Sequence, residues 1–178
     1  MESLQKPKRR KFFRIASAAP LAAGMGGLPM LLCTDVALAQ QVLGDDNFST
    51  LTKIARDIFP HDRFEDDLYR QAVATYGDQA KSDAALKTLL DDGVASVDAA
   101  AKQKYNKRYV EVADENDRVA ILKAMESSPF FLKLRGDLVV SLYNQPKVWG
   151  KLGYQGPSAE YGGYIKRGFN DQTWMETA

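Results

Sequence analysis

The side chains able to move protons or hold metal are few and poorly grouped. His61 is the single histidine, placed between Pro60 and Asp62. A histidine beside a carboxylate can serve as a general base, and Asp57 or Asp62 could partner it. The same spacing makes an ordinary His–Asp surface pair at a helix end, which is the expectation here. A zinc centre needs three or four ligands at suitable spacing, and one His with one Cys does not supply them. Glu65-Asp66-Asp67 and Asp91-Asp92 are adjacent acids. General acid/base work needs two carboxylates in different environments across a cleft, whereas neighbours on one helix turn form solvated faces or caps. No Gly-x-Ser-x-Gly is present, and no glycine-rich loop follows a strand; Gly162-Gly163 has neither the spacing nor the context for phosphate binding. The chain is therefore expected to carry no catalytic, cofactor-binding or metal-ligating residues, and a hydrolase built on His61 is the weakest reading.

The elements that would position any site are helical. Leu51, Ile54, Ala55 and Ile58 recur at helical spacing, and Pro60 stops that run. Asp66 or Asp67 opens a second helix through Leu68, Tyr69, Ala72, Val73 and Tyr76, with Gly77 as its end. Ser82 is the expected cap of a third, striped by Leu86, Leu89, Leu90, Val94 and Val97. Gly93 interrupts that stripe at a cost of about 1 kcal/mol relative to Ala and marks a close helix crossing. Asp114 caps a fourth helix, and Ser128-Pro129 starts a fifth that places Phe131, Leu134, Leu138 and Leu142 on one face until Asn144 and Pro146. No segment alternates with a period of two, so the expected class is all-α: a small bundle of about four or five helices.

The N-terminus reads as an export signal. Lys6 to Lys11 is a charged region, Ile15 to Leu32 is apolar, and Ala37-Leu38-Ala39 is a small-x-small cleavage site leaving Gln40 as the new N-terminus. Arg9-Arg10-Lys11-Phe12-Phe13-Arg14 resembles the twin-arginine consensus, with Arg9, Arg10, Phe12 and Phe13 at its defining positions. Alternatives are a retained membrane anchor, disfavoured by Pro20, Pro29 and the glycines between them, and lipidation at Cys33, disfavoured by Leu32 before it. The expected division is a twin-arginine signal at 1–39 and a domain at 40–178. The twin-arginine translocase carries proteins already folded in the cytoplasm. Its cargo holds a cofactor inserted there or accompanies a partner that does.

Charge and cysteine content narrow the classes further. The 178-residue chain has a net charge of +1, but residues 1–39 hold six bases and two acids, so 40–178 holds 18 bases against 21 acids. That acidic body lacks the clustered bases of a nucleic-acid footprint. Its one basic run, Lys102 to Tyr109, is expected to be a solvated helix end rather than a dock for an acidic partner. Cys33 is the only cysteine. A chain cut after Ala39 would hold no disulfide, iron–sulfur cluster or covalently attached haem.

Residues 145–178 differ in kind. Gly150, Gly153, Gly156, Gly162, Gly163 and Gly168 alternate with Pro146 and Pro157 among Trp149, Tyr154, Tyr161, Tyr164, Phe169 and Trp174. The breakers argue for an extended, irregular arm, and the ring density argues against simple disorder. The rings need a pocket on this chain's own helices or on a partner; Trp and Tyr are favoured interface anchors.

The segment Tyr143-Asn144-Gln145-Pro146-Lys147-Val148-Trp149-Gly150-Lys151-Leu152-Gly153-Tyr154-Gln155-Gly156-Pro157, followed by Gly162-Gly163-Tyr164, resembles the C-terminal signature of the gluconate 2-dehydrogenase subunit 3 family. Ile54 to Pro60 is similar to that family's opening helix and stop, and the likeness covers about residues 48–175. The resemblance implies a non-catalytic small subunit that accompanies a large FAD-binding flavoprotein of the glucose–methanol–choline type. Often a cytochrome c subunit with haem completes the complex. It also implies a periplasmic place at the inner-membrane face, with the small subunit supplying the export signal and stabilising the large one. Its partner-binding residues would be Pro146, Trp149, Leu152, Gly153, Tyr154, Gly156, Pro157, Gly162, Gly163, Tyr164, Phe169 and Trp174. The rival reading from the same rings is a stand-alone periplasmic carbohydrate-binding module.

Overall fold

The computed structural model describes residues 32–163. Among the described residues the chain is all-α, with helices α1 (Leu32–Leu43), α2 (Asp45–Ile58), α3 (Asp66–Ser82), α4 (Ala84–Tyr105), α5 (Glu115–Ala124), α6 (Pro129–Tyr143) and α7 (Pro146–Leu152). Short 3-10 turns cover Tyr109–Glu111 and Ser158–Tyr161. Seven helices replace the four or five expected. Five coincide with the periodic segments. The other two are α1, within and just beyond the segment expected to be an export leader, and α7, inside the arm expected to be irregular.

One apolar stripe per helix builds the core. Phe48, Leu51, Ile54 and Ala55 of α2 meet Leu68, Tyr69, Ala72, Val73 and Tyr76 of α3. Leu90, Val94, Val97 and Ala101 of α4 and Leu134, Leu138 and Leu142 of α6 close it. Asp114 caps α5 by accepting from the Asn116 amide at 2.7 Å, and Ser128 caps α6 by accepting from the Phe131 amide at 3.2 Å. Such caps contribute about 1 kcal/mol each.

Three local expectations are corrected. Gly77 does not end α3, which continues to Ser82; it lies where α1 crosses, and a methyl added there would sit 2.6 Å from Ala39 Cα. Ser82 is the last residue of α3, its hydroxyl donating to the Gln79 carbonyl, and Asp83 caps α4 by accepting from the Leu86 amide at 2.9 Å. Phe130, rather than Phe131, is the buried ring at the start of α6. It lies on Gly93, where an added methyl would come within 2.1 Å of Phe130 Cδ2. The glycine in the α4 stripe is thus matched to a ring from α6.

A buried ion pair fixes the end of α2. Arg118 Nε and Nη2 donate to the two carboxylate oxygens of Asp57 at 2.7 and 2.9 Å, while Nη1 donates to the Val112 and Ala113 carbonyls. Tyr109 donates its hydroxyl to the same Asp57 carboxylate at 2.7 Å. Both ionic side chains are almost fully buried. The network joins α2, the Tyr109 turn and α5, and it holds α2 just before Phe59-Pro60-His61. No helix among the described residues is long and apolar enough to cross a membrane.

Candidate partner interface at the C-terminal arm

The arm begins on a regular foundation. Asn144 ends α6, and Pro146 occupies the first turn of α7, where its missing N–H costs nothing. Gly153 ends α7 in the left-handed conformation at φ 78°, and Gly156, Gly162 and Gly163 also have positive φ. These glycines let the chain turn sharply after α7 without a Cβ penalty. The expectation of a wholly irregular arm is therefore corrected: a proline at the start and a left-handed glycine at the end delimit a helix of seven residues.

Side-chain bonds tie this helix to the bundle. Gln145 Nε2 donates to the Leu68 and Ser141 carbonyls, both at 2.9 Å. Val148 is fully buried. Trp149 Nε1 donates to the Tyr143 carbonyl at 2.8 Å, and its ring meets Tyr154 edge-on with centroids 5.5 Å apart. Gly156 is buried beneath the same indole. Lys151 pairs with exposed Glu65 at 2.9 Å and holds that carboxyl below its ordinary range, through the hydrogen bond first and charge second. Replacing Trp149 by Ala removes the ring and its hydrogen bond. We expect a loss of about 1–2 kcal/mol, read as faster tryptic cleavage after Lys151 and a small fall in the urea midpoint.

Other parts of the arm face outward. Leu152 is 51% exposed, Tyr154 47% and Tyr161 56%, and Pro157 is exposed as well. Tyr164, Phe169 and Trp174 lie outside the described residues, as do Arg9, Arg10, Phe12 and Phe13. Ala37, Ala39 and Gln40 fall within α1.

A second apolar surface went unread in the sequence. Leu132, Val139 and Val140 of α6 are each more than half exposed. Their spacing of seven and eight residues puts them on one helix face, away from buried Leu134, Leu138 and Leu142; that spacing was the available signal. Val140 borders a groove between α3 and α6 lined also by Thr75, Gly136, Ser141 and Gln145. Ser141 Oγ and Gln145 Oε1 are buried without a hydrogen-bond partner among the described residues.

The candidate acid–base residues are not brought together. His61 Nε2 meets the Tyr143 hydroxyl at 2.6 Å and its ring lies against Phe64, so its partner is a tyrosine, not the expected aspartate. Asp57 belongs to the buried pair with Arg118. Asp66 pairs with Arg56, Asp67 accepts from Gln71, and Asp91 accepts from Asn47 and Lys87. Among the described residues no group of three His, Cys, Asp or Glu is placed to hold a metal ion. In the basic run, Arg108 bridges Asp46 and Asp98, and Asn106 caps α4 in the left-handed conformation. The chain matches no family model, no curated protein and no solved structure.

Proposed function

We propose that the chain is the non-catalytic small subunit of a periplasmic, membrane-associated dehydrogenase that oxidises sugars, sugar acids or alcohols. Its partner is a flavoprotein of the glucose–methanol–choline type holding FAD, and in some such complexes a cytochrome c subunit with haem relays the electrons. The small subunit supplies the twin-arginine signal for the pair and steadies the flavoprotein. The observation that carries this reading is the arm: a short helix bonded to the bundle, and the turns that follow it, leave Leu152, Tyr154 and Tyr161 about half exposed. Half-exposed apolar and aromatic side chains grouped in this way suit the core of a protein interface. The exposed face of α6 adds to that surface, as do the two polar atoms beside it that have no partner among the described residues, because a buried polar group without a partner costs about 1–3 kcal/mol.

The carbohydrate-binding alternative needs an open ring face. Trp149 has its nitrogen bonded to the Tyr143 carbonyl and its ring against Gly156 and Tyr154, so the arrangement favours the subunit reading. Affinity capture of the tagged chain from periplasm of cells grown on sugar acids or polyols should recover a flavoprotein, seen by its yellow chromophore and by mass. Exchanging Tyr154 and Tyr161 for Ser should reduce that recovery at least tenfold. Capture of the chain alone, together with a saturable tryptophan-fluorescence response to free sugar, would favour the binding module.

A further inference from the structure

We infer that the folded protein is not cut between Ala39 and Gln40, and that α1 stays in place as a permanent layer of the domain. The inference rests on reading residues 1–39 as an export leader, but the docking of α1 does not.

Helix α1 runs without a break through Ala37-Leu38-Ala39-Gln40. Ala39 is fully buried and Leu43 nearly so, with Val36 and Val42 packed against the same core. The closest approach is at α3: a methyl on Gly77 would sit 2.6 Å from Ala39 Cα, 2.8 Å from its Cβ and 3.0 Å from its nitrogen. The backbones of the two helices therefore meet at a glycine–alanine contact, and Ala39 fills the space that a side chain at 77 would occupy. Gln40 is also committed. Its carbonyl accepts from the Gly44 amide at 2.9 Å and its side chain donates to Asp45 at 3.0 Å.

Two physical consequences follow for a peptidase. Proteases read an extended segment by pairing with its backbone, so the bond after Ala39 would have to leave both its helix and the Gly77 contact before hydrolysis. Twin-arginine cargo folds before it crosses, so that contact exists before any leader peptidase is met. A cut at this bond would also leave residues 40–43 as the remnant of α1, too short to hold a helix. It would uncover the part of α3 that Ala39 and Val36 cover. The small-x-small pattern thus has a packing explanation: Ala39 is small because Gly77 lies against it, and Ala37, exposed on the far side, takes no part in the contact.

Digestion of the purified full-length chain with leader peptidase in detergent tests this without any need for export, followed by intact mass. The native chain should lose no mass at the 39–40 bond, whereas Gly77→Val, which rejects Ala39 from its notch, should be cut there at least tenfold faster; a Gly77→Val chain that also stays whole would show that the docking of α1 is not what protects the bond. Cutting of the native chain at the same rate as Gly77→Val would overturn the inference. In cells, chain isolated from the periplasm should begin upstream of Asp35, and Ala37→Leu should leave its mass unchanged apart from the substitution. A periplasmic form beginning at Gln40 and lost in Ala37→Leu would overturn it. Chain that never leaves the cytoplasm would count against the export reading alone, because the digestion still decides the docking.

Discussion

Replacing Asp57 by Ala is expected to remove about 3–5 kcal/mol of stability, a large share of the roughly 5–15 kcal/mol available to a domain of this kind. The substitution leaves the Arg118 guanidinium inside the protein with two of its four donated bonds unmade and no counter-charge. In the native chain the carboxylate hydrogen bond holds the Arg118 pKa above its ordinary value, against the opposing effect of burial; with that carboxylate gone, the intrinsic basicity of a guanidinium still keeps the side chain charged. Tyr109 loses its acceptor at the same time; burial, followed by the charge on Asp57, already pushes its own pKa upward. The check is urea unfolding followed by circular dichroism. The midpoint should fall with the slope unchanged, and a fall equivalent to less than about 1 kcal/mol would show that water reaches this pair. Asp57→Leu combined with Arg118→Met and Tyr109→Phe should recover a substantial part of the loss, since an apolar replacement of both charges is often neutral when the Tyr109 hydroxyl is not left without its acceptor. Because Asp57 lies in the last turn of α2, just before the segment that carries His61 and Phe64, the single variant should also weaken the contact between His61 and Tyr143.

Gly93→Val is expected to cost about 3 kcal/mol, against a gain of less than 1 kcal/mol from better helix propensity. The sign follows from the spacing. The first added carbon would stand 2.1 and 2.2 Å from two ring carbons of Phe130, so the ring must leave its place. Phe130 is in the first turn of α6, and moving it shifts the helix that leads into the arm. A double-mutant cycle with Phe130→Ala distinguishes this from a purely local effect. The two changes should be strongly non-additive, with Phe130→Ala costing less in the Gly93→Val background than in the native one. Additive losses would show that the ring has another place to go.

The helices with a clean apolar stripe were the legible ones. Asp114 and Ser128-Pro129 announce their helices because a side-chain acceptor satisfies amides that would otherwise have no partner, a local effect readable from two or three residues. Gly93 was legible as a crossing, but the ring that fills it was not, because adjacent Phe130 and Phe131 both fit an apolar face and only packing chooses between them. Gly77 misled for a related reason: in isolation a glycine near a helix end suggests a stop, whereas here α1 supplies the contact that makes it necessary. The arm misled through its glycine count. Pro146 and Gly153 look like breakers individually but enclose one short helix when spaced seven residues apart. The partner of His61 was not legible at all, since Tyr143 is 82 positions away and no periodic signal links them.

The hydrogen bonds that seat α7 bear on how fast an encounter can succeed. A segment that must be frozen on contact loses about 1–2 kcal/mol of backbone entropy per residue. From Pro146 to Tyr161 the chain already holds a helix, left-handed turns and a 3-10 turn of its own. A surface rigid before collision can dock as a solid body. Association with the proposed flavoprotein should then show a single rate proportional to concentration, without the slow unimolecular phase that marks binding coupled to folding.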